Sequence, residues 1–190
     1  MKKICLLLIC IFFASTKLFA GGMGQFFSNE ILVGTGVPIY DDNSQSDRKT
    51  LLDTSDYKRI VANLSYFLDL NISDPIKIVF GADLMSDFLW EQDFYYHTLD
   101  YAFCTGIKVF PGAMGLNLSI AYCLGNRTDF FNELIGSTSW GNGFRIAVQY
   151  DFLNSTDSKV KPLAGAYYRC IPRGANLTDH TLCIYGGIKF

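Results

Sequence analysis

After its first twenty residues the chain places apolar side chains at every second position, in segment after segment, and a period of two belongs to an extended strand with two unlike faces. Between Tyr57 and Leu70 one parity carries Ile60, Ala62, Leu64, Tyr66, Leu68 and Leu70, and the other carries Arg59, Asn63, Ser65 and Asp69 with Val61 and Phe67. The same division recurs at 76–85 (Ile76, Ile78, Phe80, Ala82 and Leu84 against Lys77, Gly81 and Asp83) and at 99–109 (Leu99, Tyr101, Phe103, Ile107 and Val109 against Asp100, Ala102, Cys104, Gly106 and Lys108). It returns at 116–124, 144–152 and 181–190, where Asn117, Ser119, Arg145, Gln149, Asp151 and Lys189 take the polar parity. Weaker alternation at 30–40 and 161–171 brings the total to eight strands, the latter with Pro162 at its start, where a strand tolerates proline. An aromatic content of 15%, with 17 Gly against 5 Pro, suits an all-β chain and neither a disordered one nor a helical bundle.

The amino terminus reads differently. Lys2 and Lys3 precede ten uninterrupted apolar residues, Ile4 to Phe13. A helix needs about 20 such residues to cross a bilayer, so this run has the length and flanks of an export signal. Smaller and more polar residues follow to Ala20, which stands before Gly21-Gly22 as the expected cut, although Leu18 is bulkier than usual three residues before it. The expected organisation is a signal peptide at 1–20 and one domain at 21–190. Without Lys2, Lys3 and Lys17 the mature chain has 13 basic against 18 acidic residues, a net charge of −5 that argues against nucleic acid as a partner. Beyond residue 20 no run reaches 18 apolar residues, which leaves strands as the means of crossing a membrane.

Between the apolar segments the spacers run 16, 5, 9, 5, 16, 7 and 9 residues, long and short in turn. A membrane barrel with both termini in the periplasm has short periplasmic turns and longer outer loops, which produces this order. Several segments, at 10 to 14 residues, match a tilted transmembrane strand better than the shorter strands of globular sheets. The sequence stops at Phe190, with Ile188, Ile184 and Leu182 on the same parity and Gly186 interrupting them. In these features it resembles the bacterial outer-membrane β-barrel class, in which a terminal aromatic behind alternating apolar residues signals insertion by the barrel assembly machinery. With eight strands it is similar to the small barrels of the OmpX, OmpW and OmpA-membrane-domain kind. The resemblance implies an all-β, eight-stranded antiparallel up-and-down transmembrane β-barrel with short periplasmic turns and longer extracellular loops. It also implies the bacterial outer membrane as location, with that membrane's lipid and the assembly machinery as partners.

On the assigned parity Arg59, Lys77, Lys108, Arg145, Lys161, Arg169 and Lys189 point inward with Asp69, Asp83, Asp100 and Asp151, a modest positive excess. An eight-stranded barrel is just wide enough for side chains to fill it, so these charges either pair and close the lumen or line a narrow path. Inward Gly34, Gly36, Gly81, Gly106, Gly165 and Gly187 leave some volume for the path. Two functions follow: a non-enzymatic barrel with a structural or adhesive role, presenting surface loops to an extracellular partner, or a narrow porin or OmpW-like channel for small molecules. No cofactor or metal is expected. Cys5 and Cys10 leave with the signal, whereas Cys104 and Cys123 face inward on neighbouring strands and are candidates for a disulfide; Cys170 and Cys183 take opposite parities. A third reading, a lipid-modifying enzyme, would need His97 to meet Ser86 and a carboxylate such as Asp93 or Asp100 in a relay. Phe88-Leu89-Trp90 and the segment from Phe130 to Ile135 belong either to an interfacial aromatic belt or to a partner-contacting patch.

Overall fold

The computed structural model describes residues 26–40, 57–73, 75–91, 94–112, 115–131, 134–152, 159–174 and 177–190, so the expected signal peptide lies outside the described residues. In chain order the strands are β1 (Phe27–Ile39), β2 (Lys58–Ser73), β3 (Ile76–Glu91), β4 (Phe94–Val109), β5 (Leu116–Phe131), β6 (Leu134–Ser137), β7 (Gly141–Asp151), β8 (Lys161–Gly174) and β9 (Leu177–Lys189). Every pairing is antiparallel, and β9 returns to β1 from Glu30↔Lys189 to Ile39↔His180, which closes the sheet on itself. Short β6 pairs with the outer end of β5, and β7 takes over on β5 from Gly125↔Gly141. Together β6 and β7 make one interrupted stave, so the barrel has eight.

The alternation is realised inside out. Ile120 and Ile184 are 57% and 64% exposed, whereas Asp69 and Asp83 are fully buried. The outward residues Leu116, Leu118, Ile120, Tyr122 and Leu124 alternate along β5 with inward Asn117, Ser119, Ala121 and Cys123, and every other stave repeats the pattern. In water such a surface would be a large apolar patch without a partner; against lipid it is the expected exterior. Closure matters equally, because a sheet without edges leaves no ladder group unpaired in hydrocarbon. Phe190 takes part in closure: its amide donates to the Asn29 carbonyl at 2.9 Å, and the Asn29 amide donates to its carbonyl at 2.8 Å. Inward glycines let the staves approach, and at Gly106 an added Cβ would collide with the Ile120 carbonyl and with Ala121.

The strands extend beyond the sequence expectation. Residues 86–94, 125–140 and 172–180, expected as outer loops, are largely ladder: β3 and β4 stay paired to Glu91↔Phe94, β5 and β6 to Phe131↔Leu134, and β8 and β9 to Gly174↔Leu177. Each of these pairs is joined by two residues, and the strict alternation of long and short connections is not reproduced. The reason is that the outward apolar series is interrupted at Ser86 and at Asn126, just past Leu84 and Leu124 where the expected strands ended, while backbone pairing continues whatever the side chains.

The exterior assignment makes a direct prediction. Ile120 lies four residues above the inner end of β5, about 10 Å up a tilted strand and near the middle of the apolar band. Ile120→Arg should lower stability in lipid vesicles by about 2–4 kcal/mol, whereas Thr128→Arg near the outer end should cost under about 1 kcal/mol. Equilibrium denaturant titration of the two variants measures this, and equal costs would reject the orientation.

Candidate functional site: the charged interior

Because every strand alternates, the inward side chains converge on the barrel axis and must satisfy one another there. At the inner end Lys108 from β4 donates to Glu30 of β1 at 2.7 Å and to Asp69 of β2 at 3.0 Å. Lys189 from β9 lies 2.8 Å from Asp151 of β7, and 3.6 and 3.8 Å from Glu30 and Asp69. Gln149 ties the two acids together, its Nε2 donating to Asp151 at 2.8 Å and to Glu30 at 3.1 Å. Asn117 donates to Asp151 at 2.9 Å, and Tyr185 donates to the Gln149 carbonyl oxygen at 3.1 Å. At this mouth the ammonium groups of Lys77 and Lys189 each stand 5.1 Å from the centre of the Phe110 ring.

Above this cluster, Arg145 from β7 is packed among Tyr167, Phe67 and Tyr185, with its guanidinium carbon 4.2, 4.8 and 5.9 Å from their ring centres. Its Nε and Nη2 have no hydrogen-bond partner, so aromatic faces carry much of its stabilisation. Asp83 opens the next level, accepting from Ser65 at 2.6 Å, Asn63 at 2.7 Å and Arg169 at 2.7 Å.

From Asp83 outward the charges alternate in sign across the lumen. Arg169 bridges Asp83 and Asp100 at 2.7 and 2.6 Å, and Arg173 bridges Asp100 and Asp179 at 2.6 and 2.8 Å. Arg127 bridges Asp179 and Asp129 at 2.7 and 3.0 Å, with Thr98 donating to Asp129 at 2.7 Å. The zipper binds β3, β4 and β5 on one wall to β8 and β9 on the other. Arg59 and Asp87 add a bidentate pair at 2.9 Å between β2 and β3.

Sequence reasoning placed Arg59, Lys77, Lys108, Arg145 and Arg169 on the face that meets Asp69, Asp83, Asp100 and Asp151, and the structure brings these groups into the contacts above. Lys161 instead stands half-exposed at the inner rim. Glu30, Asp87, Arg127, Asp129, Arg173 and Asp179 were not anticipated. All but Glu30 lie in segments expected as loops, yet each continues the inward parity of its stave: 83, 85, 87; 123, 125, 127, 129; 169, 171, 173; 183, 181, 179. With them the expected positive excess shrinks to one. Among the described side chains nine cations of inward parity (Arg59, Lys77, Lys108, Arg127, Arg145, Lys161, Arg169, Arg173, Lys189), Lys161 at the rim, stand with eight carboxylates (Glu30, Asp69, Asp83, Asp87, Asp100, Asp129, Asp151, Asp179).

Cys104 and Cys123 face each other across β4 and β5 with Cα atoms 4.3 Å apart, and their sulfurs are bonded. Cys183 is a buried thiol and Cys170 a half-buried one on the outward face. The structure does bring Ser86 and His97 together, with Oγ 2.8 Å from Nε2, on the outward wall. Asp100 does not extend this pair into a relay, since it points to the opposite face and serves Arg169 and Arg173; Asp93 lies outside the described residues. The ring is instead held between Phe88 and Phe130, with centroids 5.5 Å away on each side. The second histidine is likewise paired with a hydroxyl, Tyr168 Oη at 2.6 Å from His180 Nδ1.

A closed eight-stranded antiparallel barrel with a charged, side-chain-filled interior and an apolar exterior has the fold of the small outer-membrane barrels. Among solved structures it is similar to Ail, the attachment invasion locus protein of Yersinia pestis, with a TM-score of 0.52 and 11% identity over 86% of this chain and 98% of that one. It is also similar to Neisserial surface protein A, with a TM-score of 0.54 and 7% identity over 86% of this chain and 95% of that one. At such identities the likeness is one of fold. No protein-family model matches the sequence, and no curated protein does.

Asp100 joins two arginines, so removing it leaves two buried cations short of a counter-charge. Asp100→Ala should destabilise the folded barrel by about 3–5 kcal/mol, whereas Lys159→Ala, at an exposed position before β8, should change stability by under about 1 kcal/mol. Urea titration followed by the mobility of unheated samples on gels reads both. Equal effects would mean that the zipper contributes no more than a surface residue.

Proposed function

We propose that this chain is exported, loses residues 1–20, and inserts 21–190 into the outer membrane as a non-enzymatic barrel whose lumen is closed by its own side chains. The nearly charge-balanced, cross-linked interior carries this reading. Salt bridges within 3.0 Å join opposite walls both at the inner cluster and along the outer zipper. Partial opening would strand buried charges, and a nearly balanced set of ions offers passing solutes little field of one sign. The work then falls to the outer end, where the β3–β4, β5–β6 and β8–β9 hairpins project. Similar folds include one named for attachment and invasion and one named as a surface protein, which supports a structural or adhesive role here. Phe190, Ile188, Ile184 and Leu182 lie exposed on one face of the closing stave, as a recognition element for the assembly machinery would require.

Planar-bilayer recording of refolded mature protein tests the closed lumen, with gel mobility of unheated samples as proof of folding. Current should stay at the bare-bilayer level at moderate voltages. Reproducible discrete steps from folded barrel would overturn the closed reading and favour a narrow porin, with Lys77, Lys108, Asp83 and Asp100 as the first residues to vary.

A further inference from the structure

The position of the Cys104–Cys123 bond bears on when it can be made. Its two residues face each other across the β4–β5 ladder and are 4% and 0% exposed. Along β4 the inward residues run Asp100, Ala102, Cys104, Gly106 and Lys108, so the bond lies midway between a carboxylate of the outer zipper and a cation of the inner cluster. Along β5 it stands between Ala121 and Gly125, with Arg127 of the zipper beyond. Both cysteines belong to one cluster of buried apolar residues with Met85, Ala102, Ala121, Tyr167 and Ile171. Behind them the paired backbones of β4 and β5 form the wall, and Phe103, Thr105, Tyr122 and Leu124 face outward from it.

A disulfide forms and breaks by attack of a thiolate on sulfur, so the reacting partner must reach the sulfurs themselves. In the closed barrel each approach is taken. From either mouth a reagent would have to part a set of buried ion pairs, and from the side a thiolate would have to enter hydrocarbon and pass a hydrogen-bonded sheet. We propose that Cys104 and Cys123 are oxidised before β9 closes on β1, and that closure then seals the bond against exchange. The claim rests on the closed lumen proposed above. The oxidant is a disulfide carrier, which an exported chain meets in an oxidising compartment before it inserts. One thiolate of the chain attacks the carrier's disulfide and releases one carrier thiolate. The second chain thiolate attacks the resulting mixed disulfide at the chain's own sulfur and releases the other. The chain gives up two electrons and two protons, and the carrier is left as a dithiol. Thiol oxidation therefore stands upstream of barrel closure in the maturation of this protein, and no thiol can reverse it afterwards without opening the barrel.

The mature chain carrying Cys170→Ala and Cys183→Ala holds this pair alone. Should it fail to refold, the wild-type mature chain serves, with two free thiols when the bond is present and four when it is not. The oxidised chain, refolded into phosphatidylcholine vesicles, is exposed to dithiothreitol, quenched in acid, denatured and tagged with a maleimide that shifts its mass on gels. The folded barrel should lose its bond at least about a hundredfold more slowly than the urea-unfolded chain. In the converse arm the chain is refolded reduced, freed of reductant and given oxidised glutathione. It should remain a dithiol while the unfolded chain becomes oxidised, and a reduced chain that alone fails to refold would equally place oxidation before closure. Oxidation of the folded dithiol as fast as that of the unfolded chain would overturn the proposed order. Reduction of the folded barrel at the unfolded rate would overturn the seal. Accompanied by a silent planar bilayer, that result would leave the closed lumen standing; accompanied by discrete current steps, it would remove the closed lumen as well.

Discussion

Closure of β9 on β1 is the constraint from which the other features descend. Once the ladder has no edge, every strand can hold its backbone polar groups inside the sheet, and the exterior is free to be apolar. The same closure removes the other face from the membrane and confines it to a space that side chains fill. Polar residues collected there face one another across the axis with little water, so each charge needs a partner on another stave. Strand pairing therefore sets the membrane surface and the interior network together: Glu30 lies opposite Lys189 in the closing pair, and both belong to the inner cluster.

Pairing across the axis also explains why the network is built largely from arginine at its outer end and lysine at its inner end. A guanidinium offers separate N–H groups in a fixed fork, and Arg169 and Arg173 each use different nitrogens to hold two carboxylates from different staves. Lysine presents a compact charge that several acids can surround, and Lys108 and Lys189 sit among Glu30, Asp69 and Asp151 in that way. The outer arrangement joins walls in a line; the inner one gathers them at a point.

The fold was legible because its signal is local: a two-residue period needs no knowledge of partners, and it assigned Asp83, Asp100, Lys108 and Arg169 to the interior. Strand ends were less legible. The outward apolar series is interrupted at Ser86 and Asn126, but hydrogen bonding between strands continues to Glu91 and Phe131, because it depends on the backbone and not on the side chains. Following the inward parity past those points would have reached Asp87, Arg127 and Asp129 and reduced the apparent positive excess. The aromatic packing of Arg145 was beyond such reading. Phe67, Tyr167 and Tyr185 come from β2, β8 and β9, and only the register and stagger of the closed barrel bring them around one guanidinium.

Arg145 also shapes what opening would require. It lies between the inner cluster and the outer zipper, held by rings rather than by hydrogen bonds from its Nε and Nη2. A solute entering from either end meets a full set of opposed charges before it reaches this level. Parting only the inner cluster leaves Asp83, Asp100 and Asp179 bound to Arg169, Arg173 and Arg127 above, and parting only the zipper leaves Lys108 and Lys189 on their acids below. On the closed reading proposed above, a continuous path needs both to separate at once, each at the cost of buried charges stripped of their partners. The two sets act in series, so weakening one still leaves the other as a barrier, and the hairpins that rise above them are held on a scaffold whose rigidity does not depend on either set alone.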